Sequence, residues 1–122
     1  MSKALKYTFL VHAIVALLFG ALLLLAPGRF LGIFGWQPVD PLLTRLLGAA
    51  LLALAWGSWR GWQATERAQV TPLIEMETIF TVLGSAGLLR HLLIAGYPWY
   101  VWTLFAVLAV FAVAWIFFLF KK

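Results

Sequence analysis

The sequence predicts an all-α integral membrane protein, a four-helix transmembrane bundle forming a single domain over residues 1–122. Three observations carry that reading. Hydrophobic residues make up 65% of the 122-residue chain and charged residues only 11%, well beyond the balance of a water-soluble domain. The apolar residues gather in four runs, about 5–26, 41–62, 72–95 and 98–120. Each is long enough at 1.5 Å per residue to cross a hydrocarbon core of about 30 Å. Subtracting the runs leaves nothing from which a soluble domain could be built.

The first run opens behind Lys3 and Lys6. A basic start before an apolar stretch is also how a signal peptide begins, but this run exceeds a signal h-region and no A-x-A site follows. It is expected to stay as a helix. His12 is its one polar interruption and shares a four-residue spacing with Ala16 and Gly20. Small residues at that spacing let backbones approach, so His12 is expected to face the bundle. Pro27-Gly28 is expected to end the helix. The connection Arg29–Asp40 holds Phe30, Ile33, Phe34 and Trp36, is broken by Gly32 and Gly35, and is closed by Pro38. It is too apolar for a free loop and too short to span, which predicts an interfacial or slightly re-entrant segment.

Asp40-Pro41 predicts a helix start, with aspartate as N-cap and proline at the first helical position. Along the second run Arg45, Ala49, Ala53, Gly57 and Gly61 recur every four residues. This ridge of small residues is a helix-packing surface, facing either its own chain or another. Trp56, Trp59 and Trp62 with Arg60 predict an interfacial belt. Gln63–Thr71 is the polar connection, and Thr71-Pro72 is expected to cap the third helix. Gly96 and Pro98 leave so short a link that helices three and four should form an antiparallel hairpin. The fourth helix opens on Tyr97, Trp99, Tyr100 and Trp102 and ends on Lys121-Lys122.

Lys3, Lys6, Arg60, Arg67, Lys121 and Lys122 fall at one side of such a bundle, against Arg29, Arg45 and Arg90 toward the other. The positive-inside rule then places both termini in the cytoplasm and the protein in the cell (inner) membrane. The net charge of +5 does not indicate nucleic acid, because the cations sit at segment ends and form no basic stripe with interleaved aromatics. With no cysteine, disulfides, thiolate metal sites and thiol catalysis are excluded. No phosphate loop, nucleophile elbow or HExxH motif occurs, and the three serines lack triad spacing. No cofactor, metal site or catalytic residue is assigned.

The third run is the one with charge inside it: Glu75 and Glu77 near its start, Arg90 and His91 near its end. Only twelve uncharged residues, roughly 18 Å of helix, separate Glu77 from Arg90. Such charges must snorkel, pair, or face protein. His12 and Glu77 each lie roughly 8 Å along their helix, which predicts a buried His12–Glu77 pair forming a proton-linked or ligand-binding site in the inner half. The competing reading is that the pair only fixes helix register. Glu75 is expected to be a helix-start residue favoured by the dipole. In the outer half Arg45 is expected near the depth of Arg90 and His91, a basic level suited to a lipid phosphate or the acidic group of an amphiphile, with separate snorkelling to the headgroups as the alternative.

The stretch DPLLTRLLGAALLALAWGSW, an Asp-Pro start followed by an arginine and then small residues, resembles the second helix of uncharacterised small bacterial membrane proteins of the DoxX-like neighbourhood. Four helices with short loops agree with that group along the whole chain. The resemblance implies an accessory role beside quinone-linked redox complexes and carries over no catalytic residue. Small multidrug-resistance transporters share the size and span number, but they hold their essential acid in the first helix, where this chain has His12.

Three functions follow as expectations. The first is binding or transport of an amphiphilic or lipid-like molecule by Glu77, His12, Arg45, Arg90 and His91, with membrane lipids as neighbours. The second is a structural or accessory subunit, docking a larger membrane complex or a second copy through Ala49, Ala53, Gly57 and Gly61. The third is an intramembrane acid–base enzyme acting on a lipid. It needs two converging acids, whereas Glu75 and Glu77 diverge by about 160° around a helix.

Overall fold

The computed structural model describes residues 1–36 and 39–121. The predicted closure by Pro38 and the terminal Lys122 lie outside the described residues. Among those described, the chain is helical with no strand. Its elements are α1 (Lys3–Leu25), α2 (Pro27–Ile33), α3 (Pro41–Gln63), α4 (Arg67–Ile94), a short 3-10 turn (Trp99–Val101) and α5 (Trp102–Phe120). Four helices are long and apolar enough to cross a membrane: α1, α3, α4, and α5 together with the turn before it. They fall into two compact units, Met1–Ala64 and Thr65–Lys122.

In the first unit α1 starts at Ser2, whose Oγ accepts a hydrogen bond from the Leu5 amide at 3.2 Å. Pro27 ends α1, since the residue before a proline is pushed out of the helical region, and Ala26 sits at φ −141°, ψ 58°. The same proline is the first residue of α2, so the connection expected to be interfacial or slightly re-entrant opens with two turns of helix. Gly35, at φ 78°, closes α2: its amide bonds to Gly32 O and the Trp36 amide to Leu31 O. That left-handed position suits glycine. Rings stack edge to face from Phe19 to Phe30 to Phe34, tying α2 to α1. Asp40 caps α3 as expected, its Oδ1 accepting from the Leu42 and Leu43 amides at 3.0 and 3.2 Å, with Pro41 at the first position.

The α1–α3 hairpin closes on glycine. A Cβ on Gly48 would lie 2.6 Å from Leu24 N and 2.8 Å from Gly20 O, and one on Gly20 would lie 2.9 Å from Gly48 O. The two backbones therefore touch. At the other end Gly61 makes room for the Phe9 ring, whose Cδ1 would sit 2.6 Å from an added Cβ. With little hydrophobic drive between helices in lipid, such close backbone packing is the main source of association.

In the second unit the expected cap at Thr71-Pro72 is corrected. α4 begins five residues earlier, at Arg67, and Pro72 lies inside it. Two local interactions explain the early start. Gln69 Oε1 accepts the Thr65 and Glu66 amides at 3.1 and 3.2 Å, satisfying donors that a helix start leaves open. Arg67 reaches across to α5, with Nη1 donating to Lys121 O and Nη2 to Phe118 O, both at 2.6 Å. A cation there meets carbonyls that the end of α5 leaves without intrahelical donors. Pro72 is exposed, early in the helix, where its missing N–H leaves only the Ala68 carbonyl without its usual donor. The predicted hairpin of the last two helices is present, with α4 ending at Ile94 and α5 packed against it.

Candidate functional site

The buried polar residues of α1 and α3 meet each other. His12 lies on the α1 face formed by Leu5, Phe9, Ala13, Ala16, Gly20 and Leu23, as its spacing predicts. Its Nδ1 is 2.8 Å from Ser58 Oγ, and both side chains are buried. Whichever ring nitrogen carries the proton, the serine can donate or accept, so the contact fixes the imidazole's orientation. His12 sits about 14 Å along α1, which starts at Lys3.

In α4 the buried positions Val70, Ile74, Glu77 and Thr81 follow one face. Glu77 is 1% exposed and Glu75 is exposed, so the two acids meet opposite environments, as their angular separation predicts. The earlier helix start puts Glu77 about 15 Å along α4, deeper than the sequence implied. Glu75, correspondingly, is not in the first turn; it is an exposed residue of the third. Thr81 Oγ1 donates to Glu77 O at 2.7 Å, and Thr71 and Thr78 likewise donate to carbonyls one turn back. Ser85, one turn beyond Thr81, behaves differently. Its Oγ is shut off from solvent and has no hydrogen-bond partner among the described residues. Glu77, Thr81 and Ser85 thus form a polar stripe on an apolar helix, at successive four-residue steps.

The remaining predicted residues are placed as follows. Arg45, Arg90 and His91 are exposed. His91 Nε2 is 2.8 Å from Tyr97 Oη, which ties the last turn of α4 to the hairpin link. Of the small-residue ridge, Gly61 is buried against Phe9, Gly57 is half-buried, and Ala49 and Ala53 are exposed. The face of α3 that meets its own chain is instead Gly48, Ala55, Ser58 and Gly61. His12 and Glu77 belong to different units. Each unit contributes its own buried group: a hydrogen-bonded histidine in the first, an enclosed carboxyl in the second. Among the described residues no three His, Cys, Asp or Glu side chains gather as metal ligands.

Sequence reasoning passed over Ser58, Ser85 and Arg67. Ser85 was discoverable, since it continues the spacing from Glu77 through Thr81. Ser58 was not, because its role depends on the α1–α3 register. Comparison with protein families, curated proteins and solved structures returned no match.

Proposed function

We propose that the chain is a multi-pass protein of the cell (inner) membrane, both termini cytoplasmic, that binds or transports an amphiphilic or lipid-like molecule. The observation that carries this reading is the polar stripe Glu77–Thr81–Ser85. An enclosed acidic side chain within a membrane-length helix is costly in lipid and is by default a candidate functional group. A buried hydroxyl with no partner among the described residues suits a ligand's polar group. Within the first unit His12 is buried and oriented by Ser58, and in each unit exposed cations, Arg45 in the first and Arg90 with His91 in the second, suit an acidic headgroup. The six-to-three distribution of cations supports the orientation.

A second reading has its own observation. Ala49 and Ala53 lie exposed on α3 while α1 packs on a different face, which suits a subunit that docks to a larger membrane complex or a second copy. The DoxX-like resemblance agrees with that role.

Native mass spectrometry of gently extracted protein tests both. A retained amphiphile on a monomer supports binding. An assembly without such a ligand, dispersed by Ala53→Leu, supports the docking subunit.

A further inference from the structure

The end of the first unit where α1 begins and α3 ends carries Lys3, Lys6 and Arg60. The Phe9–Gly61 contact fixes the level: Lys6 lies about one turn beyond it along α1, Lys3 about two turns, and Arg60 beside it on α3. Lys3 and Arg60 are exposed and Lys6 half-buried. None of the three makes a side-chain hydrogen bond or ion pair among the described residues. Residues 1–64 contain a single acid, Asp40, which caps the opposite end of α3. This end therefore has three cations and no anion of its own unit.

The surrounding aromatics are also arranged for a membrane surface. Trp59 and Trp62 have ring centroids 4.9 Å apart at the last turns of α3. Trp56 is 64% exposed one turn before Arg60. Indole rings favour the headgroup level, with the apolar body toward acyl chains and the N–H toward water or phosphate. Cations at the level of such a belt are complementary to the phosphate of a lipid whose net charge is negative.

We infer that Lys3, Lys6 and Arg60, framed by Trp56, Trp59 and Trp62, form a headgroup site selective for anionic phospholipid over zwitterionic phospholipid. The site is separate from the polar stripe of α4, and stands or falls independently of what that stripe binds. It holds a lipid of the bilayer surface by its phosphate, with the tryptophans against the glycerol and upper acyl chain.

The test uses the full-length protein in neutral detergent, where direction of insertion plays no part. Phosphatidylglycerol and phosphatidylcholine of equal chain length are added in equal amounts, and lipid adducts are read by native mass spectrometry. At about fivefold per cation near a surface, the wild type should favour phosphatidylglycerol by tenfold or more. The triple variant Lys3→Gln, Lys6→Gln, Arg60→Gln should lower that preference at least fivefold. The charge-keeping variant Lys3→Arg, Lys6→Arg, Arg60→Lys should retain it, with both variants checked for native helicity by circular dichroism. A preference undiminished in the triple variant, or lost in the charge-keeping one, overturns the site. A wild type that takes both lipids equally also overturns it.

Discussion

Ser58 Oγ stands 2.8 Å from Nδ1 of His12, between the Gly20–Gly48 backbone contact and the Phe9–Gly61 contact of the same hairpin. The polar pair and the two glycine contacts share one register. Shifting either helix by a residue would break all three together. Ser58→Ala removes the hydrogen bond without adding bulk. It should lower the stability of the purified protein by about 1 kcal/mol, the scale of interhelical hydrogen bonds in membranes. Unfolding titrations in mixed detergent micelles check this, and an unchanged midpoint would show that the contact contributes nothing.

Gly48 offers a sharper test of the same packing. Gly48→Ala puts a methyl group 2.6 Å from the Leu24 backbone nitrogen, where no side chain can yield. A loss of roughly 1–3 kcal/mol is expected, as for overpacked cores. Gly87→Ala meets nothing within 4 Å. On intrinsic helix preference that change should be neutral or stabilising by up to about 1 kcal/mol. Equal responses of the two variants in the same titration would contradict the α1–α3 geometry.

Arg67 joins the first turn of α4 to the last turn of α5 through the carbonyls of Phe118 and Lys121. Arg67→Met should fray the end of α5, raising amide hydrogen exchange about fivefold over the last turn, from Phe117 onward, on a capping interaction of about 1 kcal/mol. Arg67→Lys should recover part of the protection, since an ammonium lacks the planar fork whose two nitrogens meet the two carbonyls. Exchange unchanged in both variants would mean that the end of α5 is held by packing alone.

These contacts show where sequence reasoning reached and where it stopped. Asp40-Pro41 was readable because both capping residues are local, and His12 could be assigned to a packed face from Ala16 and Gly20 alone. The start of α4 was misread because Thr71-Pro72 looks like a cap. What overrides it is partly local, Gln69 reaching back to Thr65 and Glu66, and partly an arginine bound to carbonyls more than fifty residues away. Ala49 and Ala53 carry the same four-residue period as Gly61, yet they are exposed and Gly61 is buried against Phe9 of α1. Period identifies a face but does not say which neighbour covers it.

Ser85 separates the ligand from the fold. Removing a buried hydroxyl with no partner among the described residues should leave the ligand-free protein as stable or up to about 1 kcal/mol more so. The same Ser85→Ala change should weaken ligand retention several-fold. A variant that is destabilised instead would show that the hydroxyl serves the helix packing.

The most direct test of the central claim is ligand retention in Glu77→Gln against Glu75→Gln, measured by native mass spectrometry after identical gentle extraction. Both changes remove one carboxylate from α4, but only Glu77 is enclosed. A hydrogen bond to the enclosed side chain accounts for about fivefold in affinity. The account predicts that Glu77→Gln loses the retained amphiphile while Glu75→Gln keeps it at the wild-type level. Equal retention in the two variants would contradict it.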